Sequence, residues 1–368
     1  MDCIYKVITT SHLNGKEKMK LEERIKLFKD VFAPKTNEKV LFLVDIPHDK
    51  IPDSQMWKKR REMAYEWYNI FKDMGIKEGF NVNLLKFKAT GLQNTPIPNL
   101  IKEEVKKSNL VLAITEYSAT STLMKICKEK HSITRSASMP GVEKRMEKTA
   151  FKANYKKIQR YSIVLAQMLN NSIGAEVTFS TGDKLYVDLR NRIAGSETGD
   201  CSKTGQFINF PSGEAYMAPY EAIGDEIEKF GKSKTEGIAL DTQDKELIKY
   251  IVKNNKICKV IGESKKADYM RTFFSKNDTR RNIAEFTIGC NPEAIVTGNM
   301  LEDEKAGGLH IAYGTSIFLG GKNQSDMHED IVYTKGCPVE STEVILINKD
   351  GSTIEIIKNA KLRYELLK

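Results

Sequence analysis

Imidazole and carboxylate side chains are concentrated in one stretch of this 368-residue chain, residues 285–330. Two of the five histidines, His310 and His328, lie there. Neutral imidazole together with carboxylate is the mixture of ligands that borderline and hard divalent metals prefer in proteins. This stretch therefore predicts a metal site, with Glu285 and Glu304 as further candidate ligands.

His328 and Asp330 are two residues apart, beside the β-branched and aromatic segment DIVYTK, which predicts a strand. Side chains at positions i and i+2 of a strand point to the same face of a sheet, so both would reach one site. Glu214 follows the turn sequence PSG, which would deliver its carboxylate to the start of another strand. Because buried carboxylates and imidazoles are costly unless paired or metal-bound, several of them in apolar surroundings favour a shared site.

Length and composition limit the kind of protein. A chain of 368 residues is long enough for two domains, and 40% hydrophobic with 29% charged residues is typical of a soluble globular protein. No apolar run approaches the about 18–20 residues that a membrane span needs. The first residues, MDCIYKVITTSHLNGKEK, lack the apolar core of a secretory signal. We therefore expect a cytoplasmic protein with no membrane partner.

The six cysteines are scattered and form no CxxC pair, which is typical of reduced thiols. The formal net charge is +9, but the lysines are interleaved with Glu and Asp along predicted helices such as KMKLEERIKLFKD. That pattern indicates solvated helix faces rather than a stripe that binds nucleic acid. The expected partner is a peptide or small-molecule substrate, not a nucleic acid.

Strands and helices alternate through the first third of the chain, which predicts a parallel sheet with helices on its faces. No GxGxxG and no GxxxxGK[ST] follows any of these strands, so no nucleotide site is expected. The predicted helices cover 21–33, 54–74, 97–107 and 119–131, and the predicted strands cover 39–45, 80–87 and 109–115.

The pattern changes after a long helix expected at about 148–171. The segment AEVTFSTGDKLYVDLR predicts a strand pair around Thr-Gly-Asp, and VILINKDGSTIEIIK predicts a second hairpin. We therefore predict two domains, an N-terminal α/β open-sheet domain over residues 1–150 and a strand-rich α+β domain over residues 151–368. The second domain carries the metal site.

Four segments of the second domain resemble, in the same order, those of the aminopeptidase T family of leucyl aminopeptidases. They are NFPSGEAYMAP, the Glu285 segment with GCNP, LEDEKAGGLHIAYG and GGKNQSDMHEDIV. The resemblance implies a homodimer of two-domain α/β chains that removes N-terminal residues from peptides with two divalent ions, Zn, Co, Mn or Mg. It implies metal ligands at Glu214, Glu285, Glu304, His310, His328 and Asp330. It assigns no general base.

Three alternatives to this peptidase remain open. Active family members carry a tyrosine where this chain has Ile317, so the chain is also compatible with a catalytically degenerate member that keeps the fold. His310, His328 and Asp330 alone have the composition of a non-haem Fe(II) site, and a ring-cleaving dioxygenase of dihydroxypyridine type resembles this family. Cys290 with His310 is a candidate nucleophile pair, although a buried structural cysteine is the commoner case.

The homodimer is testable by sedimentation velocity at micromolar concentration. We expect a species of twice the 41.7 kDa of one chain. A mass of one chain across the concentration range would contradict the expected assembly.

Overall fold

The computed structural model describes residues 19–243 and 246–368, which form two compact units. One unit holds the described residues up to Gln159 together with Glu197–Ser212, and the other holds Arg160–Ser196 and Gly213–Lys368. Both combine helices with sheets, so the predicted two-domain α/β fold is confirmed. None of the helices in these ranges is long and apolar enough to cross a membrane. Cys3 and the segment tested for a secretory signal lie outside the described residues.

The helices of the described ranges are α1 (Leu21–Phe32), α2 (Gln55–Glu78), α3 (Asn99–Lys106), α4 (Thr120–Cys127), α5 (Tyr155–Asn171), α6 (Glu226–Phe230), α7 (Lys265–Lys276) and α8 (Met300–Asp303). The strands are β1 (Lys39–Ile46), β2 (Asn81–Lys88), β3 (Leu110–Ala113), β4 (Arg135–Ser138), β5 (Ser172–Phe179), β6 (Lys184–Asp188), β7 (Gly195–Glu197), β8 (Phe207–Asn209), β9 (Glu214–Met217), β10 (Glu236–Gln243), β11 (Glu246–Lys253), β12 (Lys256–Ile261), β13 (Ile283–Gly289), β14 (Gly308–Gly314), β15 (His328–Val332), β16 (Ser341–Asn348), β17 (Thr353–Lys358) and β18 (Lys361–Leu362).

The first unit is built on a parallel sheet of five strands in the order β2-β1-β3-β4-β8. Its central strands are buried along their length, as expected for a parallel sheet covered by helices on both faces. The last strand, β8, comes from the segment Glu197–Ser212, which returns to this unit from later in the chain. Sequence patterns had grouped that segment with the second domain.

Several helix ends differ from the prediction, and the helix predicted over 119–131 ends at Cys127. The helix predicted to stop before Gly75 continues to Glu78 and ends at Gly79, which adopts the left-handed conformation at φ 79°. Gly75 has another use, because a Cβ there would lie 2.4 Å from the carbonyl oxygen of Phe80. The helix predicted from about 148 begins at Tyr155, where the Asn154 side chain accepts hydrogen bonds from two backbone N–H groups of the first turn.

Buried Arg135 joins distant parts of the first unit. Its guanidinium donates two parallel hydrogen bonds to the Glu38 carboxylate, both 2.8 Å, and its Nε donates to the carbonyl oxygen of Cys201 at 2.8 Å. A further bond runs from Nη2 to the carbonyl oxygen of Phe32 at 3.0 Å. The fork shape of the guanidinium matches a carboxylate and leaves its remaining N–H groups for carbonyl oxygens.

The second unit contains two sheets. Eight antiparallel strands follow the order β12-β11-β10-β6-β5-β16-β17-β18, and five strands follow the order β15-β14-β13-β9-β7. The apolar side chains of β13 and β14, such as Phe286 and Ile311, belong to the main hydrophobic core of this unit. Because side chains alternate along a strand, the residues between them face the other side of the five-stranded sheet.

Arg135→Met should lower the free energy of unfolding by about 3–5 kcal/mol, because it leaves the Glu38 carboxylate without its buried partner. Lys107→Ala is the matched control. It removes a cation whose ion pair with Glu104 is exposed, so we expect no measurable change. Denaturant unfolding followed by circular dichroism measures both, and equal midpoints for the two variants would contradict the role of Arg135.

Candidate metal centre

The face of β13, β14 and β15 opposite the core carries the imidazoles and carboxylates. In the observed register Thr287 on β13 pairs with His310 on β14, and Glu285 pairs with Ala312. Ala312 pairs in turn with Asp330 on β15. Three neighbouring strands therefore present their polar side chains to one region, and the predicted strand at His328-x-Asp330 is present.

Small residues on the middle strand leave space for these long side chains. Ala312 lies between Glu285 and Asp330, and Gly314 is the partner of His328. A Cβ at Gly314 would approach the carbonyl oxygen of Met327 to 2.3 Å. Glycine at this position therefore allows β14 to lie close to Met327, the residue before His328.

Glu285 is the centre of the cluster. Its Oε2 is 3.0 Å from Nε2 of His328, and its Oε1 is 3.6 Å from Nε2 of His310. Oε1 also accepts a hydrogen bond of 2.6 Å from the hydroxyl of Thr287, two residues along the same strand face. Asp330 completes the group, with Oδ1 3.4 Å from Nε2 of His328. The same-face prediction for His328 and Asp330 agrees with this distance.

A backbone contact fixes the tautomer of His328. Its Nδ1 lies 2.8 Å from the carbonyl oxygen of Thr315. Since a carbonyl only accepts, Nδ1 carries the proton, and Nε2 is directed at the two carboxylates. The ring of Phe318 packs edge-on against the imidazole, with ring centroids 4.8 Å apart. In this arrangement Nε2 needs either a second proton or a metal ion between itself and the carboxylates.

The pKa values in the metal-free protein follow from these contacts. Burial alone would lower the pKa of His310, but its contact with Glu285 and the nearby carboxylates outweigh burial and raise that pKa to about 9. The pKa of His328 is likewise raised well above its ordinary value against the effect of burial, by Asp330 and Glu285. Burial would raise the pKa of Glu285, yet the two imidazoles lower it. Without metal, these contacts therefore favour the protonated form of both histidines.

Lys305 was not singled out from the sequence, yet it is almost fully buried beside this group. Its ammonium contacts Oε1 of Glu214 at 2.7 Å and Oε1 of Glu304 at 3.0 Å, and its side chain is 1% exposed. Gly289 makes the approach possible, because a Cβ there would lie 2.4 Å from the carbonyl oxygen of Glu304. Burial and the charge of Asp330 raise the pKa of Glu304 in spite of Lys305.

The loop between β14 and β15 is held by another residue that sequence patterns did not indicate, Glu221. This buried carboxylate accepts hydrogen bonds from the backbone N–H of Lys322 at 2.6 Å, from the amide of Asn282 at 3.0 Å and from the hydroxyl of Ser316. The loop includes Thr315, whose carbonyl orients His328. Glu221 therefore acts on the site through the loop backbone.

All six residues predicted as metal ligands lie in one region, but in two groups. Glu285, His328 and Asp330 each offer a donor atom, and these three atoms lie within 4.8 Å of one another, with His310 beside them. Glu214 and Glu304 face Lys305 instead. Cys290 is buried and burial raises the pKa of its thiol, so it is not an activated nucleophile.

The residues fit a divalent metal ion. The group combines imidazole nitrogen with carboxylate oxygen, the donor set of Zn, Co and Mn sites. Nδ1 of His310 is buried and makes no hydrogen bond within the described ranges. A buried polar atom of that kind is uncommon in native proteins and points to a missing partner such as an ion or water.

No protein-family model matches this sequence, and no curated protein does. Solved structures do match. A 2,5-dihydroxypyridine dioxygenase from Pseudomonas putida KT2440 aligns with a TM-score of 0.67 and 14% identity, over 98% of this chain and 100% of its own. AmpT, an aminopeptidase T from Thermus thermophilus, aligns with a TM-score of 0.59 and 13% identity, over 93% of this chain and 99% of its own. At these identities the likeness establishes the fold.

His328→Ala should lower metal affinity by at least about 10–100-fold, the loss seen when partners of metal ligands are removed. His131→Ala is the control, because that histidine is exposed and lies in the other unit. Titration of chelator-treated protein with Zn²⁺ or Co²⁺ measures both. Metal at about 100 times Kd should also stabilise the wild type by about 2.7 kcal/mol, which gives an independent readout. Equal affinities for the two variants would exclude ligation by His328.

Proposed function

We propose that this chain is a metal-dependent aminopeptidase that hydrolyses N-terminal residues from peptides. The observation that carries the proposal is the position of Glu285 between the two imidazoles, with Asp330 in reach of the same nitrogen of His328. The donor set consists of the two carboxylates of Glu285 and Asp330 and the imidazole of His328, with His310 beside them. It suits a hard or borderline Lewis-acidic ion such as Zn²⁺ or Mn²⁺.

The metal would supply the Lewis acidity that lowers the pKa of a water and polarises a peptide carbonyl. Glu285, His328 and Asp330 would hold it, with His310 beside them. The protein orients these donors before the metal arrives. Thr287 donates to Glu285, and the Thr315 carbonyl holds His328 with Nε2 toward the carboxylates. Such support limits the motion of the ligands and is part of the affinity.

The charge of the site favours a substrate with a free amino terminus. Four carboxylates, those of Glu214, Glu285, Glu304 and Asp330, lie in this region, and Lys305 contacts two of them, Glu214 and Glu304. Asp330 and Glu304 are partly exposed, with side-chain exposures of 22% and 15%. A substrate ammonium can therefore meet a carboxylate here, which supports cleavage from the N-terminus rather than within a chain.

A ring-cleaving dioxygenase is the second candidate. It is favoured by the TM-score of 0.67 to the Pseudomonas dioxygenase, against 0.59 for AmpT. The site argues against it, because oxygen chemistry at a two-histidine, one-carboxylate iron centre needs open coordination positions. With His310, His328 and Asp330 as the three ligands, Glu285 would be a fourth donor in contact with both imidazoles.

Two assays on the same natively purified protein distinguish the candidates. We expect hydrolysis of amino-acid amides and short peptides, loss of that activity on chelation and recovery with Zn²⁺, Co²⁺ or Mn²⁺. N-acetylated copies of the same peptides serve as the matched control and should resist cleavage. Elemental analysis should find little iron.

The opposite pattern would overturn the proposal. Bound iron with oxygen consumption on 2,5-dihydroxypyridine and no peptide cleavage would identify the dioxygenase. Metal binding without turnover of either substrate would indicate a catalytically degenerate protein that keeps the fold and the metal site. Ile317, half-exposed and adjacent to the Phe318 that contacts His328, would then be the first residue to change to tyrosine.

A further inference from the structure

Lys305 is a buried cation between two carboxylates and not a lysine on the surface. Lysine is almost never fully buried unless it is paired, and this side chain is 1% exposed. Its ammonium contacts one oxygen each of Glu214 and Glu304 at 2.7 and 3.0 Å. These are two of the six carboxylates and imidazoles that the sequence predicts as ligands of two metal ions.

We propose that Lys305 takes the place of a second metal ion, so that the centre binds one divalent ion, at Glu285, His328 and Asp330. This inference rests on the metal centre of the proposed function and specifies how many ions it holds. Lys305 acts as a positioning residue, because its ammonium holds the carboxylates of Glu214 and Glu304.

Backbone contacts fix the position of Lys305 beside β13. Lys305 lies two residues after the end of α8, and its backbone carbonyl accepts a hydrogen bond of 2.8 Å from the N–H of Asn291. The carbonyl oxygens of Glu304 and Ala306 would lie 2.4 and 2.3 Å from a Cβ at Gly289, which shows how closely the segment approaches β13. Because Gly289 has no side chain, the Lys305 segment can pack against it. Gly289 pairs with Glu214 on β9, so the ammonium of Lys305 lies beside the Glu214 carboxylate.

The arrangement also separates two kinds of carboxylate. Glu285 and Asp330 face His328, which needs a proton or a metal at Nε2. Glu214 and Glu304 already share a cation from the chain. A second divalent ion between them would have to displace the ammonium or lie beside a buried like charge, and both arrangements oppose its binding.

The stoichiometry of the wild-type chain is the first test. Chelator-treated full-length protein is titrated with Co²⁺ by calorimetry, and bound cobalt is counted by elemental analysis after gel filtration. We expect one ion per chain. Two ions per chain, or none, would overturn the inference. One ion per chain without peptide hydrolysis would refute the proposed function and leave this inference intact.

A pair of isosteric variants tests the assignment of ligands. Glu285→Gln should lower cobalt affinity by at least about tenfold, whereas Glu214→Gln should cause no comparable loss, because it faces Lys305. Equal losses in the two variants would overturn the inference. Circular dichroism and thermal unfolding establish that both variants are folded.

Substitution of the lysine completes the test. Lys305→Met removes the ammonium while keeping most of the side-chain volume, and it should bind a second cobalt ion at the uncovered carboxylates. Lys305→Arg keeps the charge and should still bind one. If Lys305→Met does not fold, the wild-type stoichiometry and the two glutamine variants decide. A folded Lys305→Met that still binds one ion would count against the proposal.

Discussion

Compensation of buried negative charge around Glu285 is the constraint on which the second unit's polar face depends. Glu214 and Glu285 are buried and Asp330 is partly buried, and each is next to a cationic or protonatable partner. Unpaired charges in such a place would cost several kcal/mol each. In the metal-free protein the raised pKa values of His310 and His328 favour their cationic forms, and Lys305 adds an ammonium. One divalent ion in exchange for two imidazole protons keeps the same balance.

The architecture of the five-stranded sheet follows from that requirement. One face must pack apolar side chains such as Phe286 and Ile311 into the core, and the alternation of the strands then directs Glu285 and His310 to the other face. The middle strand, β14, has only small residues, Ala312 and Gly314, at the positions that pair with Glu285, Asp330 and His328. The loop after β14 must be held as well, because its Thr315 carbonyl sets the tautomer of His328, and buried Glu221 holds it.

Local patterns in the sequence were sufficient to predict part of the site and the sheet of the first unit. The two-residue spacing of His328 and Asp330 on a strand predicted their shared face, and the β–α alternation predicted the parallel sheet of the first unit. Features that depend on distant contacts were not predictable in this way. Nothing next to Lys305 in the chain reveals its burial, which results from close approach to Gly289. The pairing of β8 with β4 joins segments about 70 residues apart and has no local signature.

Anomalous diffraction from crystals of the Mn²⁺- or Zn²⁺-loaded protein is the most direct test of the central claim, that the cluster around Glu285 is a metal centre. We expect one strong anomalous peak bounded by Glu285, His328 and Asp330. The ammonium of Lys305 should still lie between Glu214 and Glu304. A map with no peak there, and with Nε2 of His328 still hydrogen-bonded to Glu285, would contradict the metal centre itself.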